Sequence, residues 1–252
     1  MSLPDVIDPE RFAFFFDFDG TLADIAEHPE DVTVSGPTRH ALAQLWQASG
    51  GAVAIVTGRD IGSIDHFLDP ERLPIAGVHG LTRRDGSGHV HHPDFDMAAL
   101  KGIEAELQPL VDREAGLFLE RKHGAVALHY RQRPELEDLC RDAMARAAEN
   151  AASITVRRGK MVVEVVGYPS NKGSAIDSFL QEKPFLGRTP IFAGDDLTDE
   201  DGFALVNERG GISIKVGPGD TRAHHRVESR EALLAWLNSI IANRGYEHRE
   251  QP

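Results

Sequence analysis

The sequence predicts an α/β fold: a Rossmann-like, doubly wound parallel sheet with an inserted α+β domain. Three observations predict it. Short apolar runs alternate with amphipathic stretches in both halves of the chain. Several of those runs end in Asp, Gly or Thr-Gly turns, as strands do when their carboxyl ends line a ligand site. Between the two halves the pattern becomes helix, hairpin, helix, hairpin, which fits a small antiparallel layer.

The elements follow in order. Phe12 to Phe16 is too short to span a membrane and reads as a buried strand. Pro37 opens a helix whose stripe is Ala41, Leu42, Leu45 and Trp46, and Gly50-Gly51 closes it. Ala52 to Val56 is the second strand, ending in Thr57-Gly58-Arg59; a helix over Ile61 to Leu68 leads to the strand Pro74 to Val78, which ends in His79-Gly80. The middle section has a helix near Met97 to Asp112, then extended runs Leu117 to Lys122 and Ala125 to Arg131 joined at His123-Gly124. Pro134 opens a helix over Glu135 to Asn150, and Ile154 to Arg157 and Met161 to Val166 pair around Arg158-Gly159-Lys160. The α/β rhythm then resumes: helix Lys172 to Gln181, strand Pro190 to Ala193 ending in Gly194-Asp195-Asp196, helix Phe203 to Glu208, strand Ile212 to Val216 and helix Arg230 to Ala242. The expected domains are a core of 1–96 and 172–252 and an insertion of 97–171, with Tyr246 to Pro252 a polar tail.

Composition narrows the function. The chain has 252 residues, 41% of them hydrophobic, enough for a substantial core. A net charge of −13 argues against nucleic acid or an anionic membrane as partner, and a phosphate-bearing substrate would need local cations. The single cysteine, Cys140, excludes an internal disulfide and reads as a core thiol. No basic segment followed by an apolar stretch and a cleavage site begins the chain, so a cytoplasmic protein without a secretion signal is expected.

Asp17 and Asp19 stand two residues apart directly behind the first strand. Alone, they could be a capped turn. If the sheet forms as read, however, Asp17, Asp19, Thr57, Lys172, Asp195 and Asp199 gather at one edge. Those residue types suit phosphate-ester chemistry, which needs a cation, a nucleophile, donors to the phosphoryl group and an acid for the leaving alcohol. Asp195 with Asp17 would hold Mg²⁺, Thr57 and Lys172 would grip the phosphoryl group, and one of the first two acids would attack. The Lys172 ammonium would also keep the nucleophile ionised.

Asp17-Phe18-Asp19-Gly20-Thr21, Val56-Thr57-Gly58-Arg59, Asn171-Lys172-Gly173 and Gly194-Asp195-Asp196-Leu197-Thr198-Asp199-Glu200-Asp201 resemble, in order, the four motifs of the haloacid dehalogenase-like phosphatases. The insertion between the second and third motifs matches one cap subgroup. Most of the chain resembles the trehalose-6-phosphate phosphatases, through Gly77-Val78-His79-Gly80, Glu120-Arg121-Lys122, His129-Tyr130-Arg131 and Gly187 to Glu200. The resemblance implies that Asp17 is the nucleophile and that Asp19 protonates the leaving sugar oxygen, then activates water. It implies Mg²⁺ on the carboxylates of Asp17 and Asp195 and the backbone carbonyl of Asp19, with Asp199 in support. Thr57, Gly58 and Lys172 would bind phosphate, Arg59 and His79 the substrate, and functional coupling to a trehalose-6-phosphate synthase would follow. Two places depart from the family pattern, Leu81-Thr82 after His79-Gly80 and Val166-Gly167 after Glu164, and both bear on the substrate pocket.

In the insertion, Glu120 and Lys122 share one strand face, and Glu164 interrupts an apolar run. The resemblance makes them sugar contacts; the residues alone also allow a solvated, salt-bridged face. His89-Val90-His91-His92 could suggest a transition-metal site but lacks further ligands nearby in sequence, His224-His225 reads as an exposed loop, and Arg83-Arg84 reads as a solvated turn, with help to an anionic substrate as the alternative. The leading expectation is a trehalose-6-phosphate phosphatase. The alternatives are a phosphatase for a sucrose- or glycosyl-glycerate-type phosphate, a sugar phosphomutase, and a non-catalytic sugar-phosphate sensor.

Overall fold

The computed structural model describes residues 3–4, 6–24, 29–68, 72–92, 96–122, 124–151, 154–167 and 170–247. His123, expected at a hairpin junction, and the tail beyond Glu247 lie outside them.

In chain order the elements are β1 (Phe12–Phe16), α1 (Gly36–Ala48), β2 (Val53–Val56), α2 (Ile61–Leu68), β3 (Ile75–Gly77), β4 (Thr82–Arg84) and β5 (Val90–His91). Next come α3 (Met97–Arg113), β6 (Phe118–Lys122), β7 (Ala125–His129), α4 (Glu137–Ala148), β8 (Thr155–Gly159) and β9 (Val162–Val166). The last group is α5 (Lys172–Leu180), β10 (Thr189–Gly194), α6 (Glu200–Glu208), β11 (Ile212–Val216), β12 (His225–Val227) and α7 (Arg230–Glu247). The chain divides into two compact units, 1–91 with 171–252, and 92–170.

The first unit is built on an eight-stranded sheet in the order β12-β11-β10-β1-β2-β3-β4-β5. Its strands are parallel from β12 to β3, and β4 and β5 add antiparallel. The sequence of β1 explains the double winding. Phe14 and Phe16 pack with Leu42, Ile64 and Leu237 on one face, whereas Ala13 and Phe15 pack with Ile176, Phe179 and Phe203 on the other. A strand covered on both sides must be apolar at every position, as Phe-Ala-Phe-Phe-Phe is.

Periodicity missed four features. β4, β5 and β12 are two or three residues long and rich in Arg and His, so they carry no apolar alternation. Arg84 is buried rather than solvated: its guanidinium donates to both oxygens of Asp65, at 2.6 and 2.7 Å, and to Leu73 O. His225 lies on β12 and only His224 is exposed. Helix α7 continues through Tyr246 to Glu247, beyond the predicted end.

The second unit is a four-stranded antiparallel sheet, β6-β7-β9-β8, with α3 and α4 packed on one face. Val126, Leu128, Val163 and Val165 pack with Leu100, Ile103 and Leu107 of α3 and with Cys140 and Met144 of α4. Cys140 is a buried core thiol, and burial raises its pKa.

Candidate active site

The carboxyl end of β1 carries the first acids. Asp17 N donates to Ala193 O on β10 at 2.9 Å, extending the parallel ladder by one residue. The chain then folds over itself, with Leu22 N and Ala23 N both donating to Phe18 O. Gly20 makes this turn possible. Its φ is +82°, and a Cβ there would sit 2.1 Å from Asp195 Oδ2. No other residue tolerates both conditions.

Lys172 links the loops that follow β1 and β10. It is the first residue of α5, whose start is fixed by a reciprocal cap: Asn171 Oδ1 accepts from Ser174 N, and Ser174 Oγ accepts from Asn171 N. Its Nζ donates to Asp17 Oδ1 at 2.5 Å and to Asp199 Oδ1 at 2.6 Å. The other oxygen of Asp199 accepts from Asp196 N at 2.8 Å, which leaves Asp199 committed to holding Lys172 and the Asp195-Asp196 turn.

Asp17, Asp195 and Asp199 bring ligand oxygens within 4.8 Å of one another. The charges do not balance with Lys172 alone. Burial, opposed by Lys172 and reinforced by Asp199, raises the Asp17 carboxyl well above the usual range. Burial together with Asp199 and Asp196 pushes Asp195 up to about 6. Burial also works against the Lys172 ammonium, but Asp17 and Asp199 outweigh it and hold the group protonated. Among the described residues, Asp195 Oδ1 is buried without a hydrogen-bond donor. An excess of buried negative charge and an orphaned carboxylate oxygen fit a hard divalent cation.

Asp19 is set apart from this trio. Arg59 Nε and Nη2 donate to its two oxygens, each at 2.7 Å, in a bidentate pair. The guanidinium also lies over Phe18 and Phe67, with centroid distances of 5.7 and 5.1 Å. The Asp19 side chain is thus not among the clustered ligands, and any contribution to a cation falls to its backbone carbonyl. Thr57 is buried at the end of β2, its Oγ1 accepting from Arg59 N and its carbonyl from His79 N. His79 has φ +54° and its ring packs over Gly58, where a Cβ would fall 2.7 Å from Nε2. Thr57, Gly58 and Arg59 after β2 and His79 after β3 thus belong to two loops packed against each other.

Sequence reasoning missed Lys215. Its buried Nζ donates to Asp195 O at 2.5 Å and Val216 O at 2.8 Å, fastening the acidic turn to β11. A lysine inside the apolar run Ile212 to Val216 was the available signal.

The second unit has its own polar cluster. On the sheet face opposite the helices, cross-strand register sets Glu120, Ala127, Glu164 and Arg157 in one row. Lys122 Nζ donates to Glu164 Oε1 at 3.1 Å and lies 3.8 Å from Glu120 Oε2, and His129 Nε2 is 2.8 Å from the same Glu120 oxygen. Glu164 is buried. The three expected sugar-contact residues are thus brought together in a single network.

A family model described as trehalose-phosphatase matches residues 15–233. The chain belongs to the trehalose-phosphatase family. It is 43% identical over 230 residues to the trehalose-6-phosphate phosphatase of Escherichia coli (strain K12), covering 91% of this chain and 86% of that protein. It is also 43% identical over 239 residues to a probable trehalose-phosphate phosphatase of Sinorhizobium fredii, covering 92% and 89%. Among solved structures, an Aspergillus fumigatus trehalose-6-phosphate phosphatase aligns with a TM-score of 0.69 at 27% identity, covering 93% of each chain. The C-terminal domain of a Candida albicans trehalose-6-phosphate phosphatase aligns at 0.80 and 23% identity over 92% of each, a likeness of fold.

The two places read in the sequence as departures from the family pattern have defined positions. Leu81 is buried and Thr82 begins β4, its buried Oγ1 without a partner among the described residues. Val166 is buried at the end of β9, and Gly167 N donates to Gly124 O. The His-rich segment is closer to acids than its sequence suggests: Asp85, His91 and Glu182 have oxygens and a ring nitrogen within 4.8 Å. Those groups already have partners. Asp85 accepts from Ser87 and His89 and pairs with His91 at 2.7 Å, and Glu182 pairs with Arg83, so the cluster closes the β4–β5 hairpin onto α5's end. No helix among the described residues is long and apolar enough to cross a membrane.

Proposed function

We propose that this chain hydrolyses trehalose 6-phosphate to trehalose and inorganic phosphate. The observation that carries the reading is the likeness to trehalose-6-phosphate phosphatases over 91% of the chain, with Asp17, Asp19, Lys172 and Asp195 all present.

In this reading a carboxylate oxygen of Asp17 attacks phosphorus, the bond from phosphorus to the sugar oxygen breaks, and Asp19 gives that oxygen a proton. Asp19 then takes a proton from water, which attacks phosphorus and releases phosphate from Asp17. The Arg59 pair occupies both oxygens of Asp19, so it must open before either oxygen can hand a proton to the leaving sugar oxygen. An anionic substrate drawing Arg59 toward itself would open it, which reconciles Arg59 as a substrate ligand with its place on Asp19. Thr57, Gly58 and Lys172 would receive the phosphoryl oxygens. Asp17, Asp195 and the backbone carbonyl of Asp19, supported by Asp199, would hold Mg²⁺, which when bound neutralises phosphoryl charge and the surrounding carboxylates. Glu120, Lys122, Glu164 and His79 would recognise the sugar. The substrate implies functional coupling to a trehalose-6-phosphate synthase and a cytoplasmic setting.

Phosphate release from trehalose 6-phosphate, sucrose 6-phosphate, a glucosyl-glycerate phosphate and glucose 6-phosphate tests the reading. Trehalose 6-phosphate should have the highest kcat/KM. Preference for another member would overturn the assignment.

A further inference from the structure

The face of the second unit's sheet that carries Glu120 and Glu164 also carries a row of different character. Register places Phe118 beside His129 and His129 beside Val162, directly next to the row of Glu120, Ala127 and Glu164. Phe118 is 61% exposed, and among the described residues it is the one exposed phenylalanine. Its ring lies 5.8 Å from that of His129 at an interplanar angle of 37°. His129 in turn is fixed by its 2.8 Å contact with Glu120. Aromatic and apolar atoms therefore sit on one side of a strip, hydroxyl-accepting carboxylates stand beside them, and the small Ala127 lies between the acids.

A glucopyranose ring has the matching surface: equatorial hydroxyls around its edge and apolar C–H faces above and below. Binding sites for such ligands combine apolar contact area with a few placed polar groups. We propose that Phe118, backed by His129, is the platform on which a sugar ring of the substrate stacks, with its hydroxyls turned toward Glu120 and Glu164. Phe118 is then a specificity-determining residue that takes no part in phosphoryl transfer. The inference rests on the functional reading above and adds to it a residue that the sequence motifs leave out.

The test compares Phe118→Ala and Phe118→Trp with wild type. In Phe118→Ala, kcat/KM for trehalose 6-phosphate should fall about tenfold or more, while aryl phosphate hydrolysis stays within about twofold. Product inhibition by trehalose should weaken in Phe118→Ala, inhibition by inorganic phosphate should not, and Phe118→Trp should keep activity and change fluorescence on titration with trehalose. Equal losses on both substrates, or unchanged trehalose inhibition, would overturn the platform while leaving the function intact. Wild-type inactivity on trehalose 6-phosphate would instead overturn the functional reading and the platform together.

Discussion

The ammonium of Lys172 lies 2.5 Å from Asp17 Oδ1, with both residues buried. One lysine thus compensates the expected nucleophile and, through Asp199 at 2.6 Å, the loop that carries Asp195. Its removal leaves two buried carboxylates uncompensated. Lys172→Met should cost about 3–5 kcal/mol in denaturant unfolding and lower turnover by several orders of magnitude. Adding Asp199→Asn should recover part of the stability and none of the activity, because the two residues are directly coupled. Full stability of Lys172→Met would mean that the carboxylates are neutral in the resting protein.

The raised pKa of Asp195, about 6 against the usual 3.8, has a defined sign. Below the unfolded value both states hold the proton and the shift costs nothing. As pH rises through the folded value, the native state must ionise a group that it disfavours, so stability falls between those two values and stays lower above them. Chelated protein should therefore melt at lower temperature at about pH 7.5 than at about pH 5. Asp195→Asn should reduce the difference and leave the part that comes from Asp17, which is raised in the same direction. Added Mg²⁺ should raise Tm more at the higher pH, and a Mg²⁺ shift independent of pH and of Asp195 would exclude that residue as a ligand.

Legibility in the sequence followed periodicity. The parallel strands were readable because double burial forces runs such as Phe12 to Phe16, and candidates such as Asp17, Thr57 and Asp195 stood out because they follow where those runs stop. β4 was not, since Arg84 is buried through a partner, Asp65, that is distant in sequence. Arg59 was legible as a candidate site residue, but its bidentate hold on Asp19 depends on how two loops meet across 40 residues. Lys215 was overlooked because a lysine in a strand usually points to solvent, and this one donates to two carbonyls.

Asp19→Asn should separate leaving groups. Hydrolysis of trehalose 6-phosphate needs a proton on the sugar oxygen and should fall by several orders of magnitude, whereas the first step with an aryl phosphate, whose phenolate leaves unaided, should suffer far less. Burst-phase kinetics with the aryl substrate check this. Identical losses in that first step would assign the acid elsewhere.

Glu120→Ala, Lys122→Ala and Glu164→Ala should each depress kcat/KM for trehalose 6-phosphate, in kcat as well as KM, because binding energy from the sugar is used to align the reacting groups. Aryl phosphate hydrolysis should be about equally poor in all of them and in wild type. Parallel losses on both substrates would make the network of Lys122 with Glu120 and Glu164 a structural one.

The mechanism stands on Asp17 taking the phosphoryl group from trehalose 6-phosphate. Acid quenching of the enzyme during turnover, followed by peptide mapping by mass spectrometry, observes that step itself. The expected result is one phosphoryl group on Asp17, absent in Asp17→Asn, which should also have lost turnover by several orders of magnitude. Phosphorylation of Asp19, or Asp17→Asn turning over like wild type, would show that the nucleophile has been misassigned.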